Sequence, residues 1–353
     1  MRILSGIQPT GQMHLGNYLG AVKQWTELQK QHDCLFLVVD LHALTVQQNP
    51  KEFAKATLEK VIELIAVGLD PERCVIFLQS HVKEHAELAW IFNTQTPLAE
   101  LERMTQYKDK AKKNKKNINA GLLTYPVLQA ADILLYRTQG VPIGKDQTQH
   151  LELTRSIARK FNTLYGKTFE EPATIVSKEG AKIMSLQDPK KKMSKSDGPQ
   201  AFLSLFEEPE SIRKKLMRAT TDKDKNITYN PTKKPGVSNL LAIYSLFAQE
   251  PLSDIEKKFQ GKGYASLKKE TAELLIDKLA PFRRKKKELL TRDLYLKEIL
   301  KAGVRKARTI AQATMEDVRS KLGLLPPNLT QTPIFCSRKD IFLVSFEKSF
   351  RLL

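Results

Sequence analysis

The stretch Arg2-Ile3-Leu4-Ser5-Gly6-Ile7, followed by Gln8-Pro9-Thr10-Gly11 and then by His14-Leu15-Gly16-Asn17, decides the fold. A short apolar run that passes through a Pro and Gly turn into a helical pattern predicts a strand, a tight loop and a helix N-terminus. Gly16 and Asn17 let such an N-terminus approach an anion closely, and phosphates bind at such ends. This opening is typical of a nucleotide-binding α/β fold.

Apolar and amphipathic runs continue to alternate in the order strand, helix, strand, helix, strand. They cover residues 2–7, 17–31, 35–39, 50–67 and 74–78. Continuous apolar strands joined by helical crossovers predict a parallel sheet covered on both faces. We therefore expect a Rossmann-like α/β nucleotide-binding domain.

The remaining chain divides into an insertion, the rest of the sheet and a helical part. A helical pattern from about 80 to 137 predicts an insertion of the kind that forms dimers, and the sheet resumes at 141–144 and 173–176 around a helix at 149–164. Helical patterns then follow at 211–217, 236–248, 267–282 and 291–322. The predicted domains are a Rossmann-like catalytic domain at 1–186, a signature loop with an all-helical domain at 187–324, and a tail of unassigned role at 325–353.

The chain is strongly basic, with 58 Lys and Arg against 39 Asp and Glu and a net charge of +19 over 353 residues. Such an excess favours a polyanionic partner, and RNA is the natural candidate, although a lysine-rich composition that serves solubility is the alternative. The basic run at 280–287 is either an RNA contact or a solvated helix face.

Segments that would direct the chain to a membrane are not evident. No apolar run of about 18 residues occurs, and the N-terminus lacks a signal-peptide pattern, so we expect a cytoplasmic protein that does not enter the membrane. Cys34, Cys74 and Cys336 fit neither a disulfide framework nor a zinc site.

Gln8-Pro9-Thr10-Gly11 and His14-Leu15-Gly16-Asn17 form a first signature, and a second signature, Lys192-Met193-Ser194-Lys195-Ser196, completes it. Two lysines separated by two small or flexible residues can follow the migrating charge of a triphosphate. Together the two signatures predict nucleotide activation.

At these residues the chain resembles the class I aminoacyl-tRNA synthetases, and within them the bacterial tryptophanyl enzymes, over roughly residues 1 to 324. Blocks at 5–11, 101–106, 121–126 and 130–136 resemble that family in the same order. The resemblance implies activation of L-tryptophan with ATP, transfer to tRNA(Trp), and a homodimer in which the helical domain reads the CCA anticodon.

The nucleotide site is implied largely by this resemblance. Lys192, Lys195, Lys110 and His14 would act at the phosphates, with Mg²⁺ carried by ATP and no metal site in the protein. The wider ATP-binding set is Gln8, Pro9, Thr10, Gly16, Asn17, Gly144, Lys145, Asp146, Ile183, Met193, Ser194 and Ser196. Six lysines crowd 108–116, which leaves open the choice of Lys110, and Lys145 departs from the family's usual Glu.

Selection of tryptophan needs an acceptor for the indole N–H, which only donates. Asp132, a carboxylate between Ala131 and Ile133, is predicted to supply it; a helix carboxylate that faces solvent or binds a neighbour is the alternative. By resemblance the other tryptophan-binding residues are Tyr125, Gln147, Gln8, Gln129, Leu4, Val141 and Ile143.

Three other functions remain open from the sequence. A tyrosyl-tRNA synthetase shares the fold and both signatures, a synthetase-like regulator would bind tRNA or tryptophan without charging, and another nucleotidyltransferase would use only the ATP module. The context of Asp132 argues against the first, the intact Lys192 and Lys195 against the second, and the helical domain and positive charge against the third.

Overall fold

Five parallel strands form one sheet in the order β3-β2-β1-β4-β5. They are β1 Arg2–Ile7, β2 Asp33–Val38, β3 Cys74–Leu78, β4 Gly140–Ile143 and β5 Ala173–Val176. The computed structural model describes residues 1–113, 118–144, 147–176, 182–224 and 226–325, without the side chains of residues 109, 110, 112 and 113. The predicted parallel Rossmann-like sheet is confirmed.

The first crossover runs from β1 to β2 and begins at α1, Leu15–Asn17, two residues earlier than the sequence predicts. The cause is His14, whose side chain caps this helix. A π-helical turn at Tyr18–Val22 leads into α2, Lys23–Leu28. Such π-helical turns are frequent at functional sites.

Helices α3, Asp40–Ala43, and α4, Pro50–Ala66, connect β2 to β3. The predicted helical insertion between β3 and β4 is confirmed. It comprises α5 Glu84–Asn93, α6 Leu98–Glu102, α7 Thr105–Lys113 and α8 Ala120–Leu135. Helix α8 lies between α5 and α9, Thr148–Tyr165, so most of its side chains are buried within the subunit.

The part after the second signature is helical, as predicted. It contains α10 Pro209–Met217, α11 Pro235–Ala248, α12 Leu252–Lys258, α13 Tyr264–Leu290 and α14 Asp293–Lys321. The prediction that α13 ends at Phe282 was wrong. The helix continues past Pro281 to Leu290, and Arg283 Nη2 donates to the carbonyl oxygen of Ile276 at 2.6 Å.

Helix α14 returns to the sheet and packs on the edge strand β3. A Cβ added to Gly303 would lie 2.0 Å from the carbonyl oxygen of Ile76, so the two backbones are in direct contact. Ala307, Ala311 and Met315 continue this contact into the core formed with the insertion. Across the described residues, no helix combines the length and apolar character needed to cross a membrane.

Candidate functional site

A cavity of about 320 Å³ opens at the carboxyl ends of β1 and β4, where the strand order of the sheet reverses. Parallel α/β sheets bind ligands at this position, because the loops that follow neighbouring strands diverge there. Its volume lies in the usual range for small-molecule sites. Residues from the strand ends, α3 and α8 line the cavity.

The predicted tryptophan-binding residues are brought together in this cavity. Lining residues include all eight of them: Leu4, Gln8, Tyr125, Gln129, Asp132, Val141, Ile143 and Gln147. Leu4 and Val141 are buried, and Gln129 lies one helical turn before Asp132 on α8. The hydroxyl group of Tyr125 lies 3.0 Å from Nε2 of His150, and burial raises the pKa of Tyr125 to about 12.

Asp132 is only 3 % exposed and is held by three side chains. Its Oδ1 accepts hydrogen bonds from Gln79 Nε2 at 2.7 Å and from His85 Nδ1 at 2.6 Å, while Oδ2 accepts from His42 Nε2 at 2.8 Å. A carboxylate offers about four acceptor positions. Three are used here, and the remaining one is on Oδ2.

The environment of Asp132 keeps it ionised. Burial alone would raise its pKa, but the charge and hydrogen bonds of His85 and His42 outweigh burial and lower the pKa to about 2. Asp132 thus binds neighbouring side chains, as the alternative stated, and it can still accept one more hydrogen bond.

Sequence reasoning missed the three partners of Asp132. Gln79 directly follows β3, and His42 lies on the short helix after β2. Polar residues at the carboxyl ends of parallel strands meet at one edge of the sheet, and this was the available signal. His85, in the first turn of α5, had no comparable signal.

The first signature forms a loop capped by His14. The His14 ring accepts a hydrogen bond at Nδ1 from the backbone nitrogen of Asn17 at 3.2 Å, and Asn17 Oδ1 accepts from the backbone nitrogen of His14 at 3.3 Å. Because Nδ1 accepts, the proton of the neutral ring is on Nε2. Burial and the charges of Lys195, Lys192 and Lys60 lower the pKa of His14 to about 4, so this ring is neutral near pH 7.

The second signature meets this loop through Lys195. Its Nζ donates to the carbonyl oxygen of Thr10 at 2.8 Å, and its stem lies against Gly11, whose φ of +65° favours glycine. Burial, followed by the charge of Lys60, lowers the pKa of Lys195 to about 8. The two signatures, 185 residues apart, form one site.

The rest of the second signature divides between core and surface. Met193 donates its backbone N–H to the carbonyl oxygen of Ile183 at 2.9 Å, and both side chains are buried. Ser194 and Ser196 bond through their hydroxyl groups at 2.6 Å, and Lys192 is exposed. Of the remaining ATP-binding predictions, Gly16 lies against the His14 ring and Gly144 lines the cavity, with Pro9 in the loop after β1.

Some predictions lie outside the described residues. These are Lys145, Asp146, the side chain of Lys110 and the tail from 326 to 353. Within the described residues no group of three His, Cys, Asp or Glu side chains could hold a metal ion. The buried Cys34 and Cys74 are free thiols whose pKa burial raises to about 11 and about 12.

Comparisons with known proteins identify the family of the chain. Residues 1–280 match the family model "tRNA synthetases class I (W and Y)". The chain is 48% identical to a tryptophan–tRNA ligase of Caldanaerobacter subterraneus over 92% of this chain and 98% of that protein. It is 50% identical to tryptophan–tRNA ligase 2 of Streptomyces avermitilis over 92% of this chain and 97% of that protein.

Solved structures lead to the same family. Tryptophanyl-tRNA synthetase from Mycoplasma pneumoniae aligns with a TM-score of 0.84 and 37% identity over 93% of this chain and 99% of that one. The Campylobacter jejuni enzyme, complexed with ADP and tryptophan, aligns with a TM-score of 0.81 and 36% identity over 92% of this chain and 100% of that one. A tyrosyl-tRNA synthetase from Aeropyrum pernix shares the fold alone. It aligns with a TM-score of 0.65 and 22% identity over 86% of this chain and 89% of that one.

The chain belongs to the class I tRNA synthetases for tryptophan and tyrosine, and it is an aminoacyl-tRNA ligase. Within that family it belongs to the tryptophan–tRNA ligases. Its function is therefore the ATP-dependent joining of tryptophan to tRNA, as the resemblance implied.

Proposed function

We propose that the cavity at the sheet reversal binds L-tryptophan and that the two signatures bind ATP beside it, so that tryptophanyl-adenylate forms between them. The observation that carries this proposal is the juxtaposition of an ionised, buried Asp132 in the cavity with Lys195 and a neutral His14 at the loop after β1. The Campylobacter jejuni relative, complexed with ADP and tryptophan, supports it.

In the amino-acid site, Asp132 Oδ2 accepts the indole N–H. The apolar walls are Leu4, Val141 and Ile143, which lie along the strands that flank the cavity. Tyr125 and Gln147, with Gln8 nearby, bind the α-amino group. Gln129 presents a polar group next to the indole.

In the nucleotide site, Lys192 and Lys195 bind the phosphates, and His14 donates from Nε2. Lys110 is proposed to reach the same phosphates. The ribose and phosphates are contacted by Gln8, Pro9, Thr10, Gly16, Asn17, Gly144, Lys145 and Asp146. Ile183 and Met193 lie near adenine. Ser194 and Ser196 complete the second signature. Mg²⁺ belongs to the ATP phosphates in this proposal, because Mg²⁺ usually binds through substrate phosphates and waters rather than in an all-protein cage.

Activation requires no nucleophile from the protein. A carboxylate oxygen of tryptophan forms a bond to the α-phosphorus, the bond from that phosphorus to the bridging oxygen of the β-phosphate breaks, and pyrophosphate leaves with the electron pair. The enzyme's contribution is to align the two reactants and to stabilise the charge that develops on the phosphates. The aminoacyl group then moves to a hydroxyl group of the terminal ribose of tRNA(Trp).

We assign tRNA binding to the basic helical part, in predicted domain 187–324. The basic run at 280–287 contributes less to an RNA surface than its composition suggests, because Lys286 is buried and Arg283 bonds to the backbone of its own helix. The remaining exposed cations of that part are candidates for backbone contacts.

A homodimer is proposed around the insertion. Trp90 of α5 is 71% exposed and Leu98 of α6 is 58% exposed, and large exposed apolar side chains are candidates for an interaction surface. The Pro126 turn of α8 is covered by its own subunit, so α5 and α6 are the better candidates. Light scattering on the Trp90→Ser variant tests this assignment.

We propose the cytoplasm as the location of the protein.

The decisive experiment is amino-acid-dependent exchange of pyrophosphate into ATP with each of the twenty amino acids. We expect exchange with tryptophan alone, loss of exchange in Lys195→Ala, and weaker tryptophan selectivity in Asp132→Asn. Exchange with tyrosine alone would overturn the assignment of Asp132, and tRNA binding without any exchange would overturn the proposed activation.

A further inference from the structure

A buried network of charges lies beneath the loop of the first signature. Lys60 and Glu63, one turn apart on α4, are each 1% exposed, and Lys60 Nζ lies 2.5 Å from Glu63 Oε2. Lys286 of α13 reaches Glu63 Oε1 at 3.3 Å and Glu59 Oε1 at 2.7 Å. Two cations and two carboxylates therefore join α4 to α13.

The network bonds directly to the backbone of the loop. Lys60 Nζ donates to the carbonyl oxygen of Gly11 at 2.9 Å, and Glu63 Oε2 accepts from the backbone nitrogen of Met13 at 3.2 Å. Lys195 meanwhile bonds to the carbonyl oxygen of Thr10. Two successive carbonyl groups are thus each bound by a lysine, one from the second signature and one from α4.

Stability alone gives little reason for burying these charges. Removing an ion pair from water costs several kcal/mol, and well-packed apolar side chains of similar volume often serve stability equally well or better. An apolar pair on α4, however, could not hydrogen-bond to Gly11 or to Met13. The charged pair is therefore explained by its contacts with the loop.

The two lysines have different freedom to leave the loop. Lys195 is only partly buried and comes from the short turn Lys195–Asp197, so it can exchange the Thr10 carbonyl for a phosphate oxygen. Lys60 is fixed on both sides, by Glu63 and by Gly11, and is covered completely. Lys60 can therefore keep its hydrogen bond to the Gly11 carbonyl oxygen once Lys195 has moved from Thr10 to ATP.

We propose that Lys60, held in place by Glu63 and Lys286, is a positioning residue for ATP. It fixes the backbone of Gly11–Met13 next to the phosphates while Lys195 moves from the Thr10 carbonyl oxygen to the substrate. This inference rests on the proposed role of Lys195 and of the loop in binding ATP. Lys60 itself touches no substrate. The contact between Glu63 and Lys286 extends the same support to α13, so the helical part shares in fixing the nucleotide loop.

The experiment compares Lys60→Met with the triple variant Lys60→Met/Glu63→Leu/Lys286→Met. The single variant leaves Glu63 with Lys286 alone, and we expect a lower melting temperature because part of a buried charge loses its partner. The triple variant replaces the inner charges with apolar groups, so we expect a melting temperature near that of the wild type. Arg319→Met is the matched control, since it breaks the ion pair of Arg319 with Glu87 between α14 and α5, away from the loop.

Steady-state pyrophosphate exchange gives the readout that separates positioning from stability. A hydrogen bond to a charged group contributes about 1.5–3 kcal/mol, and about 1.4 kcal/mol is tenfold in affinity. We expect the KM for ATP to rise about tenfold or more in both Lys60 variants, while kcat and the KM for tryptophan change by less than about twofold. Arg319→Met should keep the KM for ATP of the wild type.

Three results would overturn the proposal. The first is a triple variant that folds and keeps the KM for ATP of the wild type. The second is an equal rise in the KM for tryptophan and in the KM for ATP. The third is loss of folding in both Lys60 variants, which would assign the network to stability. Failure of the underlying function is recognised separately, because Lys195→Ala would then retain the exchange rate of the wild type.

Discussion

The acceptor role of Asp132 can be tested by changing the substrate rather than the protein. In β-(3-benzothienyl)alanine a sulfur atom replaces the indole N–H and the two-ring shape is kept. The protein network of His42, His85 and Gln79 around Asp132 stays intact. In the proposed binding mode the analogue therefore removes one hydrogen bond, the one at the remaining acceptor position of Oδ2, without the folding risk of a buried substitution.

The magnitude follows from the ionisation of Asp132. Its pKa of about 2 makes it a charged acceptor at pH 7, and a hydrogen bond to a charged group contributes about 1.5–3 kcal/mol. The kcat/KM of pyrophosphate exchange should then fall about 10-fold to 150-fold with the analogue. In Asp132→Asn, where the charge is gone, the preference for tryptophan over the analogue should shrink to a few-fold.

The variant and the analogue form a two-by-two cycle that isolates the contact. A wild-type enzyme that uses the analogue within about twofold of tryptophan would refute the acceptor role, whatever Asp132→Asn does. Discrimination that persists undiminished in Asp132→Asn would place the indole N–H against another group. Thermal melting of Asp132→Asn controls for loss of the buried network.

Three further results are expected. Lys195→Ala should lower the kcat of exchange about 10²-fold to 10³-fold, because one positioned charge at a developing oxyanion is lost, and a loss below tenfold would contradict its role. The kcat/KM for ATP should fall as pH rises through about 8, because the pKa of Lys195 is about 8 and only its charged form, present below that pH, attracts phosphate. A kcat/KM that stays constant up to about pH 9.5 would exclude a role for Lys195 titration in ATP binding. Gly303→Ala should destabilise the protein by about 1–3 kcal/mol in thermal or urea unfolding, because its Cβ would meet the Ile76 carbonyl oxygen at 2.0 Å; an unchanged stability would mean that α14 shifts freely on β3.

The sheet could be predicted because its strands are buried on both faces. In β2, residues 34–38 are all buried, so the strand reads as an unbroken apolar run, and β3 reads likewise. The path of the last helix could not be read in the same way. Helix α14 has an ordinary amphipathic pattern, and a pattern of this kind identifies a buried face without identifying the surface that covers it.

The candidate site was predictable where one residue carries an unusual chemistry. Asp132 stands out because a carboxylate among apolar neighbours needs a reason, whereas its partners lie 90, 53 and 47 residues away along the chain. Lys60 and Glu63 gave no such signal. A Lys and a Glu three residues apart on a helix normally form a solvated pair, and only the tertiary structure shows that this pair faces inward.

In the proposed binding mode, the charges of the cleft are separated between an amino-acid end and a phosphate end. The amino-acid end holds an ionised carboxylate, Asp132, fixed by three donors. The phosphate end holds Lys195 with the buried Lys60 behind it, and their charges also help to keep His14 neutral. A neutral His14 can donate to a phosphate from Nε2 without adding a further charge to a crowded group of cations. Because Lys195 and Lys60 help to lower the pKa of His14, and Lys60 that of Lys195, we expect a bound triphosphate to relieve repulsion that the free enzyme contains. The proposed phosphate end would then be organised for ATP before ATP binds.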